Sequence, residues 1–246
     1  MFTYHLKIEY LGTGFVGWQI QKNGLSIQEV VENAISKFLR YKIRLIGSGR
    51  TDSGVHAFEQ SAHFKTKKKI KKKDTFINSI NFFLSKYSVV ILDIKKKSNK
   101  FHARHSAIER TYKYLIVNRR SYLVLDKNKA WHVKKKLNLE KMKKGAKILK
   151  GTHNFSTFRS SSCESKSPLK TLTKAEVERK KNKIIFTFIS QSFLKQQVRS
   201  MVGSLKYLGE GKWTIKDFEK AFKSRRRSMC APTAPPYGLY LYKVKY

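Results

Sequence analysis

Apolar and polar residues alternate strictly at the start of the chain, where Phe2, Tyr4, Leu6, Ile8 and Tyr10 are separated by Thr3, His5, Lys7 and Glu9. A period of two is that of a strand with one buried face, so a strand is predicted over 2–10. The period then changes. Ile27, Val30, Val31, Ala34, Ile35, Phe38 and Leu39 recur at helical spacing, and Ser26 with Glu29 three places on is the signature of a capped helix start. Short strands follow around 43–46 and 58–64, then a helix over 74–84 and a strand over 88–94. The order is βαββαβ, and from Arg110 it recurs: a strand through Val117, a helix over 139–149, paired strands near 172–178 and 184–189, a long helix over 194–208, a capped helix from Thr214 and a last strand over 239–244. Two such units predict an α+β chain of two ferredoxin-like βαββαβ halves, each with helices on one face of a largely antiparallel sheet. The polar, basic and aperiodic stretch 98–107 divides them into 1–105 and 106–246. The opposite faces, or the seam between the halves, are left to form a cleft.

Composition narrows the class. With 246 residues, 40% of them hydrophobic and 13% aromatic, the chain can bury a core and is not a disordered polyelectrolyte. No apolar run approaches the roughly 18 residues of a membrane span, and the N-terminus reads as a strand rather than a signal-peptide core. A soluble protein that is not exported is expected. Cys163 and Cys230 are too far apart and too few for a metal quartet or a disulfide framework, which fits a reducing cytoplasm.

Charge changes the picture more. Lys and Arg number 54 against 16 acidic residues, a formal net charge of +38, and this favours a polyanionic partner such as nucleic acid. Lysine supplies 41 of the 54, in runs such as 67–73 and 134–136, and a coding bias would leave the same runs on solvated faces. A membrane surface is the weaker reading, because no helix pairs a basic face with a strongly apolar one.

Several local patterns can be weighed as sites. Gly12, Gly14 and Gly17 match GxGxxG after a strand, but Trp18 to Gln21 run into the turn signal Asn23-Gly24 instead of opening a helix. That excludes a dinucleotide site and leaves a bend that lets backbone approach something closely. His102 with His105, and His56 with His63, lack the Cys or acidic neighbours of a metal site, so no metal is expected. No GxSxG elbow is present. The segment 47–57, GSGRTDSGVHA, is different: three glycines in eight positions force a tight excursion that presents Arg50 and Asp52. Only five Asp occur in the chain. One placed among so many cations is either a carboxylate held ionised, suited to a nucleophile or base, or an Asp that hydrogen-bonds its own turn. Arginine is scarce beside lysine, so Arg50, Arg104, Arg110 and Arg199 are candidates for positions needing a planar fork. Arg199 lies among Val198, Met201 and Val202, points inward on that pattern and needs an anion, for which Asp52 is a candidate.

These residues, taken together, resemble the bacterial tRNA pseudouridine synthase A family. The run GRTDSGVHA at 49–57 is similar to the family signature, which usually has Ala where Ser53 stands here. YLGTGFVGWQ at 10–19 and SIQE at 26–29 resemble its opening, FHAR at 101–104 and RTYKY at 110–114 its second block, and Phe193-Leu194, Val198-Arg199, Val202-Gly203 and GLYL at 238–241 its last two. The resemblance spans the chain and implies the pseudouridine synthase fold with a central RNA-binding cleft. It implies an enzyme that isomerises uridines 38 to 40 of the tRNA anticodon stem-loop, acting as a homodimer in the cytoplasm without a cofactor, with tRNA rather than DNA or a membrane as partner. It implies Asp52 as the catalytic aspartate and Arg199 as its ion-pair partner. The same resemblance implies that Tyr112 stacks on the base and serves as a proton acceptor, that Leu239 packs on the base's other side, and that Arg50 helps to open the stem. Gln196-Gln197 stands where the family usually has His-Met, which bears on substrate contacts. A non-catalytic basic RNA-binding protein is the alternative, but it has no use for Asp52.

Overall fold

The computed structural model describes residues 1–246 and divides into two compact units, Met1–Ile108 with Tyr240–Tyr246, and Glu109–Leu239. In the first unit, strand β1 (Phe2–Tyr10) is followed by helix α1 (Ile27–Leu39), strands β2 (Leu45–Gly47) and β3 (His56–Thr66), helix α2 (Lys73–Leu84) and strand β4 (Val89–Lys97). β1 pairs antiparallel with both β3 and β4, and β2 lies antiparallel on the far half of β3, which gives the ferredoxin-like order β4-β1-β3-β2. The alternation at the N-terminus decides which side is core. Leu6, Ile8 and Phe64 face α1 and α2, where Phe76 meets Phe38 edge-on with ring centres 5.2 Å apart. Ser26 accepts a hydrogen bond from the Glu29 N–H at 3.2 Å and caps α1 as its sequence predicts.

The second unit holds strands β5 (Glu109–Asn118) and β6 (Trp131–Val133), helix α3 (Leu139–Leu149), strands β7 (Gly151–Asn154), β8 (Leu169–Lys180) and β9 (Lys183–Ser190), and helices α4 (Gln197–Glu210) and α5 (Ile215–Lys223). Its sheet runs β5-β9-β8-β7, antiparallel throughout, with β6 added parallel to β5. The three helices bury Met142, Leu205 and Phe218 against one another and the sheet. Thr214 and Asp217 form a full capping box at α5.

A two-residue turn, with Lys181 at φ 56, joins β8 directly to β9, as the paired strands of a βαββαβ unit require. The chain departs from the repeat in the added β6, β7 and α5, and in its last strand. The closing strand β10 (Leu239–Lys245), read from sequence as part of the second half, pairs parallel with β3 of the first unit through Tyr240–His56 and Leu241–Ala57. Alternation marks a segment as a strand but does not choose its neighbour. The 3- and 4-residue strands β6 and β7 carry too few positions to show a period.

Candidate active site

Asp52 lies in the loop between β2 and β3, and most of what fixes this loop comes from elsewhere in the first unit. The Val55 N–H donates to the Asp52 carbonyl at 3.1 Å and closes a turn. From the glycine-rich bend, the Trp18 N–H donates to the Thr51 carbonyl at 3.1 Å, and the Ser53 hydroxyl donates to the Phe15 carbonyl at 3.0 Å. The Tyr10 and Thr51 hydroxyls share a 2.8 Å bond. Two glycines make this approach possible: a Cβ on Gly12 would fall 2.0 Å from the Val55 carbonyl oxygen, and one on Gly17, whose φ is 110°, would fall 2.7 Å from that of Thr51. What reads in the sequence as a failed dinucleotide motif is a clamp on the aspartate loop. His56, read as half of a weak metal pair, accepts the Gly12 N–H on Nδ1 at 2.9 Å and ties the bend to β3. No group of three or more His, Cys, Asp or Glu residues is placed to hold a metal ion.

Gln60 holds the other side. Its amide donates to the Gly49 carbonyl at 3.0 Å and its carbonyl accepts the Ser48 hydroxyl at 2.8 Å, with Gln60 wholly buried. The sequence reading missed Gln60. Its signal was a polar residue at a core position, between Phe58 and Ala62 in the alternation of β3. Asp52 is half-buried with its backbone fixed on both sides, and Arg50 is exposed two residues earlier. The arrangement presents one carboxylate on a preorganised support.

In the second unit, Gln196 adopts a left-handed conformation and Gln197 accepts the Leu194 N–H at 2.8 Å, so α4 starts three residues later than its apolar pattern predicts. Gln197 is buried and its Nε2 lacks a hydrogen-bond partner, which is the local cost of an amide at a core position. Arg199, half-buried in the first turn of α4, donates from Nε to the Ala234 carbonyl at 2.8 Å, and the Ala234 N–H returns a bond to the Arg199 carbonyl at 3.1 Å. The next carbonyl, Pro235, accepts the Tyr114 hydroxyl at 2.8 Å. Burial, reinforced by Tyr237, pushes the Tyr114 phenol well above its ordinary range against the opposing charge of Arg199, so it stays a neutral donor. This segment leads through a single 3-10 turn, Pro236–Gly238, into buried Leu239. Tyr112 sits on the Tyr114 side of β5, buried, with its ring edge-on to Phe193 at 5.1 Å. Thus Arg50 and Asp52 share one loop of the first unit, while Tyr112, Arg199 and Leu239 are held by the β5, α4 and 234–239 segments of the second.

Residues 7–105 and 146–246 match the family model described as tRNA pseudouridine synthase. The chain belongs to this family. A protein of Pelagibacter ubique named tRNA pseudouridine synthase A is 57% identical to it over 246 residues, covering 100% of both chains. Proteins of the same name from Parvibaculum lavamentivorans and Afipia carboxidovorans are 44% and 42% identical over 243 residues, each alignment covering 99% of this chain and 98% and 99% of theirs. The synthase is therefore an isomerase that converts uridine in tRNA to pseudouridine. The non-catalytic alternative is not favoured.

Proposed function

We propose that the synthase acts on uridines 38 to 40 in the anticodon stem-loop and that Asp52 is its catalytic group. The observation that carries this reading is the clamped loop of Asp52, built from three separate segments around one half-buried carboxylate. Pseudouridine formation breaks the bond from the sugar C1′ to N1 and makes one from C1′ to C5, while C5 gives up its proton and N1 takes one, so the base detaches, turns and rejoins with no atom gained. A carboxylate that starts this chemistry must be ionised and must not follow the departing base. The loop supplies the second condition, and Arg199 is assigned the charge that supplies the first. The extruded base needs flat apolar surfaces on its two sides, which are the roles assigned to Tyr112 and Leu239, with Tyr112 also assigned to accept a proton. Arg50, exposed beside Asp52, is assigned to open the stem. No cofactor enters the scheme.

The same reading makes the enzyme a homodimer in the cytoplasm, where both free thiols stay reduced. Sedimentation at micromolar concentration that finds only the 28.7 kDa species would remove the dimer. The chemistry is tested by incubating unmodified tRNA with the wild type, Asp52→Asn and Asp52→Ala, then mapping pseudouridine by carbodiimide treatment and primer extension. The wild type is expected to stop extension at positions 38 to 40, while both variants bind tRNA and leave no stops. Stops elsewhere overturn the position, and a near wild-type rate from Asp52→Ala overturns the assignment of Asp52.

A further inference from the structure

The first unit carries an aromatic face that the roles above leave unused. Phe58 of β3 and Tyr242 of β10 are 46% and 39% exposed, in a family of positions where strand residues normally cover a core. Between them stands Tyr240. The Phe58 and Tyr240 rings are stacked with centres 5.2 Å apart and planes 24° from parallel, Tyr242 meets Phe58 edge-on at 5.6 Å, and Tyr240 leans on His56 at 4.9 Å. Adjacent strands hold the three rings, so the platform is rigid before anything binds. The sequence predicts the strand that holds Phe58 but not which of its side chains stay exposed.

We infer that Phe58, Tyr240 and Tyr242 form a stacking platform for an unpaired base of the substrate tRNA, separate from the pocket of the target uridine. Aromatic rings on a sheet accept any base, because every base has a π-face, and the +38 chain is already suited to the phosphates on either side. Six residues separate Phe58 from Asp52, a reach of at most about 20 Å. A nucleotide close to the target can therefore occupy the platform while the target is at Asp52. The inference rests on tRNA as substrate and not on which stem holds the modified uridine.

The experiment compares Phe58→Ala, Tyr242→Ala, the double variant and Phe58→Trp in affinity for whole unmodified tRNA, in kcat and KM, and in sedimentation. Both side chains lie outside the core, so the variants should fold, and Tm read beside affinity separates lost ring packing from a lost base contact. Loss of stacking should weaken tRNA binding and raise KM roughly 5- to 100-fold in the double variant, with kcat at saturating tRNA kept and the salt dependence of binding unchanged. Phe58→Trp should restore affinity, with fluorescence from the added indole quenched by tRNA. Unchanged affinity and KM in the double variant overturn the platform. A loss of self-association with tRNA affinity unchanged also overturns it, and assigns the face to a second copy of the chain. Binding is read on whole tRNA, so an error in the modified position would leave these results intact.

Discussion

The backbone of Gly17 lies against the carbonyl of Thr51, so close that a Cβ at position 17 would stand 2.7 Å from the Thr51 oxygen and 3.2 Å from the carbonyl carbon of Asp52. Residues 34 apart in sequence thus set the position of the carboxylate. Gly17→Ala must either strain its φ of 110° or push the loop away. Strain at such a position costs about 1–3 kcal/mol, or roughly 2–10 °C in Tm for a chain of this size. Displacement by even an ångström costs on the order of a hundredfold in rate. Gly14→Ala is the control, since its φ of 84° is equally restrictive but nothing lies within 4 Å of the added carbon. The expected result is a similar small loss of Tm in both and a loss of kcat only in Gly17→Ala. Equal kcat in the two variants would show that the clamp does not position Asp52.

Much of this arrangement was legible in the sequence. The helix at 139–149 is found with the bounds its pattern predicts, because Asn138 accepts the Lys141 N–H at 3.0 Å and the apolar stripe ends at Leu149. The glycine-rich bend was read as backbone approaching something closely, which it is. What it approaches depends on tertiary packing, and no local pattern encodes that. The same limit hid the partner of β10, the role of Gln60 and the exposure of Phe58, whose apolar identity is the same on a covered and an uncovered sheet face.

A cluster on the other face of the first sheet predicts how stability depends on pH. His5 bonds Ser61, and His63 accepts the Ala103 N–H at 3.1 Å. Burial first, then Lys97, Lys7 and Lys95 against the opposing Asp93, lowers His5 to about 4. Burial, then His102 and Lys65, lowers His63 to about 4. Both are neutral in the fold and titrate near 6.5 when unfolded, so the unfolded chain takes up protons first as pH falls. Their contribution is complete above about 6.5 and is lost progressively down to about 4. Tm should therefore drop between pH 7 and pH 5, and His5→Gln should reduce the slope. A Tm that stays flat over this range would contradict the buried neutral imidazoles.

The lysine run after β3 divides by function. Lys68 donates to the Leu39 carbonyl at the end of α1 at 3.0 Å, a bond that serves the fold, while Lys67 and Lys69 are exposed. If both touch phosphate, replacing each by Gln should reduce the slope of log affinity for tRNA against log salt by about 0.9. Lys68→Gln should lower Tm slightly and leave the slope alone. A slope unchanged in Lys67→Gln/Lys69→Gln would mark the pair as solvated surface and would shift the phosphate track to other lysines.

Arg199 tests the proposed chemistry most sharply, because its two roles leave different traces. Its Nε bond to the Ala234 carbonyl is structural, and losing it should lower Tm in Arg199→Leu and Arg199→Lys alike. The assigned electrostatic role is to keep the Asp52 carboxylate ionised once tRNA excludes water. Arg199→Leu removes the proposed counter-charge and should lose most activity while largely keeping tRNA affinity. Arg199→Lys keeps the charge without the planar fork, so it should retain far more of the rate than Arg199→Leu at a similar loss of Tm. Equal rates in the two variants would mark Arg199 as purely structural and would leave Asp52 without its assigned counter-charge.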